Sequence, residues 1–295
     1  MMEELRKPEW LKIDLGLSPE HKKVRRELAR HGLHTVCEEA RCPNLHECWG
    51  RYRTATFLLL GEVCTRRCRF CAVGHGRPCP PDPEEPARVA QVVARLGIRH
   101  VVLTMVTRDD LPDGGAGHVA AAVREVRKAS PGVRVEILTS DFRGDLAALE
   151  TVLESRPEIM SHNVETVRRL TPRVRSGASY ERSLAFLREA GLRVREYGGF
   201  LKSSFMVGLG ETEEEVKETL HDLRAAGVQM VNIGQYLQPT KEHLPVARYW
   251  SPEEFDRLRD YALSLGFIAC SAGPKVRSSY HAEETVRMLG GGDPA

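Results

Sequence analysis

Residues 56–71 read TFLLLGEVCTRRCRFC: an apolar run, a glycine, and then a loop carrying Cys64, Cys68 and Cys71. A short continuous apolar run bounded by turn residues is the pattern of a strand covered on both faces, as in a parallel sheet. The same signal recurs at residues 100–105, 134–138, 158–162, 201–207 and 229–235. Amphipathic stretches lie between the runs. Residues 84–96 place Val89, Val92, Val93 and Leu96 on one helical face, with Pro86 in the first turn and Gly97 at the stop. Thr212 with Glu215, and Ser251 with Glu254, have the capping-box spacing, and Pro252 takes the first helical position after Ser251. Gly191, Gly227 and Gly266 mark the ends of three further helical stretches. Strand and helix alternate about six times, which predicts a βα array. Periodicity leaves open whether the array closes and whether residues 267–270 add a seventh strand. Residues 1–36 read as an arm with one short helix around residues 20–30.

Composition narrows the class. The chain has 295 residues, 41% of them hydrophobic, enough for the core of one α/β barrel. Its 43 Lys and Arg against 41 Asp and Glu leave a formal charge of +2, too weak a field to make nucleic acid the default partner. No apolar stretch suits a transmembrane helix, and the N-terminus MMEELRKPEWLKIDLG lacks the apolar segment of a secretory signal. A cytoplasmic, reducing location without membrane association is therefore expected. Eight cysteines there are not expected to be disulfides, and six of them fall between residues 37 and 71 in two groups of three. Cys79, between prolines, reads as a loop cysteine, and Cys270 as a core thiol.

The group Cys64-Thr-Arg-Arg-Cys68-Arg-Phe-Cys71 can converge on one centre only if the chain loops around it. A zinc ion would recruit a fourth ligand, with His75 at hand, and close its tetrahedron. A 4Fe–4S cluster can be held by three thiolates, leaving one iron open. Cys-x3-Cys-x2-Cys with an aromatic before the last cysteine, here Phe70, resembles the signature of the radical S-adenosylmethionine enzymes. The resemblance implies a partial (βα)6 TIM-like barrel with N- and C-terminal extensions and the cluster loop at the C-terminal mouth. It also implies that the open iron chelates S-adenosylmethionine, and that one electron cleaves the sulfonium to a hydrogen-abstracting 5′-deoxyadenosyl radical. Arg66, Arg67 and Arg69 read as solvated loop charges, with docking of a reductant as the alternative.

The upstream group Cys37-x4-Cys42-x5-Cys48 resembles the auxiliary-cluster motif of lipoyl synthases, and Arg277-Ser278-Ser279-Tyr280 resembles that family's C-terminal motif. The second serine of the motif ligates the auxiliary cluster in the family, which implies Ser279 here. An oxygen ligand is hard for an iron that prefers sulfur, so this corner should release most easily. Arg277 is placed to help hold the deprotonated hydroxyl. Ser278, the neighbour in an extended segment, would face the other way, and His46 and His281 are the next candidates. Further matching stretches are residues 107–111, 113–115, 141–144, 162–166, 202–212, 234–239, 243–245 and 248–249, so the resemblance covers almost the whole chain. Ser140 and Ser204 depart from the usual proline and glycine, with neither expected to touch a ligand.

Several residues keep two readings. Asn163 and Glu165, just past a strand end, either contact S-adenosylmethionine or cap the next helix. Gly208 and Gly210 either let that cofactor approach the backbone or form a tight turn. Asp109, Asp110 and Asp113 either meet its methionine amino group or make a solvated turn. His31, His34, His100 and His118 have no ligand-like spacing.

The resemblance implies insertion of two sulfurs, drawn from the auxiliary cluster, at C6 and C8 of a protein-bound octanoyl-lysine. The cofactors would be two 4Fe–4S clusters and S-adenosylmethionine. Octanoylated lipoyl-domain carriers would be the substrates and a ferredoxin or flavodoxin the reductant. The chain divides into an N-terminal extension (1–52) with the auxiliary cysteines, the barrel (53–270) and the C-terminal tail (271–295). A biotin-synthase-like sulfur inserter is disfavoured because the upstream triad and the Arg-Ser-Ser-Tyr tail occur together; a zinc-stabilised binding module is the competitor from another class.

Overall fold

The structure is a computed structural model that describes residues 6–12, 19–49 and 56–279. In chain order its elements begin with α1 (Pro19–Arg30), β1 (His34–Thr35), α2 (Val36–Glu39) and α3 (Leu45–Glu47). The strand β2 (Thr56–Leu59) is followed by the short β3 (Val63–Cys64) and β4 (Gly74–His75). Then come α4 (Glu85–Leu96), β5 (His100–Met105), α5 (Ala116–Ala129), β6 (Arg134–Leu138), α6 (Leu146–Leu153), β7 (Ile159–Ser161), α7 (Thr171–Val174) and α8 (Tyr180–Glu196). The chain continues with β8 (Phe200–Val207), α9 (Glu213–Ala225), β9 (Met230–Gln235), α10 (Pro252–Ser264) and β10 (Ala269–Gly273).

Eight strands form one sheet in the order β1-β2-β5-β6-β7-β8-β9-β10. Every neighbouring pair is parallel except β1 on β2, where His34 faces Leu58 and Thr35 faces Phe57 in antiparallel register. Among the described residues no ladder joins β10 back to β1, so the barrel is partial, and β1 covers the free edge of β2. Residue burial explains why the apolar runs became strands: every residue of β2, β5 and β9 is buried. The open question of a seventh parallel strand is answered by β10, which pairs with β9 from Ala269–Met230 to Gly273–Gly234.

Helix boundaries follow the local chemistry. Gly97 closes α4 in the left-handed region at φ 62°, and both capping boxes form, Thr212 with Glu215 and Ser251 with Glu254. Gly191 does not end a helix as expected. It lies inside α8, where a Cβ would stand 3.0 Å from Leu201 Cδ2, so the missing side chain lets the helix sit close on β8.

One buried charge pair ties four strands together. Glu136 of β6 accepts from Lys202 Nζ of β8 at 2.9 Å and from Ser161 Oγ of β7 at 3.2 Å, with His100 Nε2 of β5 at 3.4 Å. Burial alone would raise the Glu136 carboxyl, but the charge of Lys202 first, and then the neighbouring His100, hold it down at about 2. No helix among the described residues is long and apolar enough to cross a membrane.

Candidate active site

The C-terminal ends of the strands open into a cavity of about 530 Å³. Cys64, Cys68 and Cys71 line it from the loop after β2, and Cys37, Cys42 and Cys48 line it from the extension. Val276 through Ser279 line it from the tail. Two triads from separate stretches of sequence and a serine-bearing tail thus line one cavity.

The loop carrying Cys64 is fastened to several strand ends. Thr65 binds Thr107 O through both its amide and its hydroxyl, and Asp109 N returns a bond to Thr65 Oγ1. Arg69 N donates to Val174 O, and His243 Nε2 lies 2.9 Å from Cys71 O. Arg66 is not a solvated charge as expected. It is 8% exposed and forks onto Asp109 at 2.8 and 2.9 Å while reaching Asp141 at 2.6 Å. Burial opposes its charge, but those two carboxylates hold its pKa above the ordinary arginine value. Its amide donates to Cys64 Sγ at 3.4 Å. Arg67 and Arg69 are exposed, as expected.

The donor set fits clusters better than zinc. Burial pushes the thiols up, Cys37 and Cys68 to about 11 and Cys71 to about 12, so they stand protonated until a metal displaces the protons. Tetrahedral zinc at ~2.3 Å from each sulfur would draw its ligands to within roughly 3.8 Å of one another. Among the described residues the one group of three possible ligand atoms within 4.8 Å is His34, Glu39 and Glu62; neither cysteine triad contracts that far. His75 is exposed. Six cavity-lining thiols at wider spacing suit two larger polynuclear centres.

Polar groups on the cavity wall await a ligand. Asn163 Oδ1 and Thr139 Oγ1 are buried without a partner among the described residues. Glu165 also lines the cavity in a left-handed conformation at φ 64°, its carboxyl raised by burial against the opposing charge of Arg175. Neither Asn163 nor Glu165 caps a helix: the N-caps of α7 and α8 are Leu170 and Ser179. Arg175, 7% exposed, bonds through Nη1 to Val164 O and Ser183 Oγ and stands beside Cys68 and Glu165.

Other expected contacts are not brought to the cavity. Gly208 and Gly210 lie off its wall. A Cβ on Gly208 would stand 2.1 Å from Gln235 Nε2 and 2.8 Å from Arg248 O, so this close approach serves the protein's own packing. Asp110 pairs with Arg108, and Asp113 accepts from Gly115 N and Gly117 N at the start of α5. His46 stacks on His21 at 5.0 Å, off the cavity wall. Ser140 and Ser204, expected away from any ligand, both line the cavity. Ser278 does not face away from it: both Ser278 and Ser279 line it from a turn, where strand alternation has no force. Tyr280 and His281 lie outside the described residues.

Sequence reading missed Asn44 and Asn232. Asn44 Nδ2 donates to Lys275 O at 2.6 Å, and Asn232 Nδ2 to Arg277 O and Ser278 O at 2.9 and 3.0 Å. A signal existed for the second: an asparagine inside an otherwise apolar buried run needs a partner.

Comparison with known proteins decides the family. Residues 58–223 match the model of the radical SAM superfamily, and residues 1–42 match the N-terminal domain of lipoyl synthase of that family. The chain is 55% identical over 286 residues to lipoyl synthase of Geobacillus sp. (strain WCH70), covering 96% of this chain and 95% of that protein. The chain belongs to the lipoyl synthase family. Lipoyl synthase of Bacillus subtilis (strain 168) is 54% identical over 284 residues, again covering 96% and 95%. Among solved structures, Streptococcus suis SuiB bound to S-adenosylmethionine superposes with a TM-score of 0.57 at 12% identity, over 85% of this chain and 54% of SuiB. HydG, a maturase of the [FeFe]-hydrogenase, gives 0.51 at 14% identity, over 77% and 58%. Those two likenesses show the fold alone. Lipoyl synthases are radical S-adenosylmethionine enzymes that insert sulfur into a protein-bound octanoyl chain, with 4Fe–4S clusters and S-adenosylmethionine as cofactors.

Proposed function

We propose that Cys64, Cys68 and Cys71 hold the radical cluster of this lipoyl synthase, and that Cys37, Cys42, Cys48 and Ser279 hold the auxiliary cluster that gives up its sulfur. The observation that carries this reading is that both triads and the serine tail open onto one cavity. When bound, the radical cluster supplies the electron that converts S-adenosylmethionine into a hydrogen-abstracting radical. Asn163, Glu165 and Arg175 are suited to orient that cofactor: a buried amide oxygen without a partner, a carboxylate and a cation whose bonds run through one nitrogen. Arg66, clamped by Asp109 and Asp141, holds the amide that faces Cys64 Sγ.

The substrates are lipoyl-domain carriers with octanoyl on a lysine, and a ferredoxin or flavodoxin is the reductant. Free thiols at all eight cysteines fit a reducing cytoplasm. The division into residues 1–52, 53–270 and 271–295 assigns the auxiliary cysteines, the radical chemistry and the serine ligand to separate segments. Replacing Cys64, Cys68 and Cys71 with alanine should abolish S-adenosylmethionine cleavage, whereas replacing Cys37, Cys42 and Cys48 should leave cleavage and stop sulfur insertion. Lipoyl product from the second triple variant would mean that the sulfur source is misassigned.

A further inference from the structure

The tail reaches the cavity along a path that three residues outside it shape. On β9, Asn232 is 3% exposed, and its Nδ2 donates to two consecutive carbonyls, those of Arg277 and Ser278. Two residues further along the same strand, a Cβ on Gly234 would stand 2.1 Å from Val276 O and 3.1 Å from Val276 C. Only a residue without a side chain lets the tail backbone lie there. From the extension, Asn44 is also 3% exposed and donates to Lys275 O. The tail adds its own turn, with Val276 N bonded to Gly273 O at 3.1 Å, and Val276 is buried.

All of these grips act on the tail backbone and none involves the Ser279 side chain. We propose that Asn44, Asn232 and Gly234 form a seat that holds residues 275–278 at the cavity independently of any bond from Ser279. The inference rests on reading Ser279 as the auxiliary-site ligand, and it gives that ligand a mechanical setting. On a backbone docked in this way, the Ser279 hydroxyl would stay beside the auxiliary site whether or not it bonded a metal there, because only its own side chain would have to move. The seat also joins the two halves of the auxiliary site. Asn44 lies between Cys42 and Cys48, so the segment that supplies the thiolates grips the segment that supplies the oxygen.

Trypsin reads the seat directly, since Lys275 and Arg277 are cleavage sites within the held segment. The assay uses the full-length, cluster-loaded protein under anaerobic conditions and again after iron removal, with the released C-terminal peptide followed by mass spectrometry. Cleavage follows the population of the opened tail, so Asn232→Ala should release the peptide about tenfold faster than the parent, and Asn44→Ala similarly. Ser279→Ala and the iron-free parent should stay within about twofold of the loaded parent. Asn44→Ala, on a different element, keeps the test alive if the β9 variant fails to fold. Asn232→Ala should also alter the Mössbauer signature of the auxiliary site. Release from Ser279→Ala or from iron-free parent as fast as from Asn232→Ala would overturn the seat, as would an auxiliary-site spectrum in Asn232→Ala identical to the parent's. Auxiliary iron content in Ser279→Ala reports separately on whether Ser279 is a ligand.

Discussion

His162 is a buried residue of the cavity wall, with Nδ1 3.0 Å from Thr139 O and Nε2 2.9 Å from Ser183 Oγ. Burial first, and then the charge of Arg175, push its imidazole down to about 4, so it is neutral in the folded protein at physiological pH. The unfolded chain takes up a proton at about pH 6.5 and the folded one does not. Stability is therefore full above that pH and falls as pH drops toward 4, by on the order of 3 kcal/mol. Anaerobic denaturant titrations across this range should show the decline in the parent and a flatter profile in His162→Gln. Equal slopes in the two proteins would contradict the assignment. His162 falls within the matching stretch 162–166, but nothing in the sequence puts it next to Ser183 or Arg175. Arg66 was misread for the same reason: Asp109 and Asp141 are 43 and 75 residues away in the chain.

At the scale of elements, legibility followed burial geometry. Strands covered on both faces announce themselves as apolar runs, so β5, β6 and β9 begin and end where periodicity put them, to within one residue. Capping boxes are local in sequence and were equally visible. Gly191 was misleading because glycine serves helix ends and close packing alike, and only the nearness of Leu201 tells which. The Glu136–Lys202 pair was invisible for the opposite reason, being polar residues inside runs that read as apolar. It gives a test of how the barrel is held. Lys202→Met should destabilise by about 3–5 kcal/mol because it leaves a buried carboxylate without its cation. Glu136→Leu combined with Lys202→Met should recover most of that loss, as measured by anaerobic chemical unfolding. A double variant no more stable than Lys202→Met would show that packing, rather than charge, sets the cost.

For the molecule as a whole, the cysteine spacings and the serine tail were legible in the chain, and their meeting was not. The distance between Cys48 and Ser279 in sequence is closed by β9, β10 and the grips of Asn44 and Asn232. The barrel, the extension and the tail each contribute part of the cavity wall. On the proposed assignment, the auxiliary site would face the radical site across one cavity. The most direct measurement starts with enzyme reconstituted with isotopically labelled sulfide and incubated anaerobically with an octanoyl-lysine peptide, S-adenosylmethionine and dithionite. Mass analysis should find both added sulfur atoms labelled, with methionine and 5′-deoxyadenosine formed alongside. Cleavage of S-adenosylmethionine with no sulfur in the peptide, or with unlabelled sulfur, would contradict it.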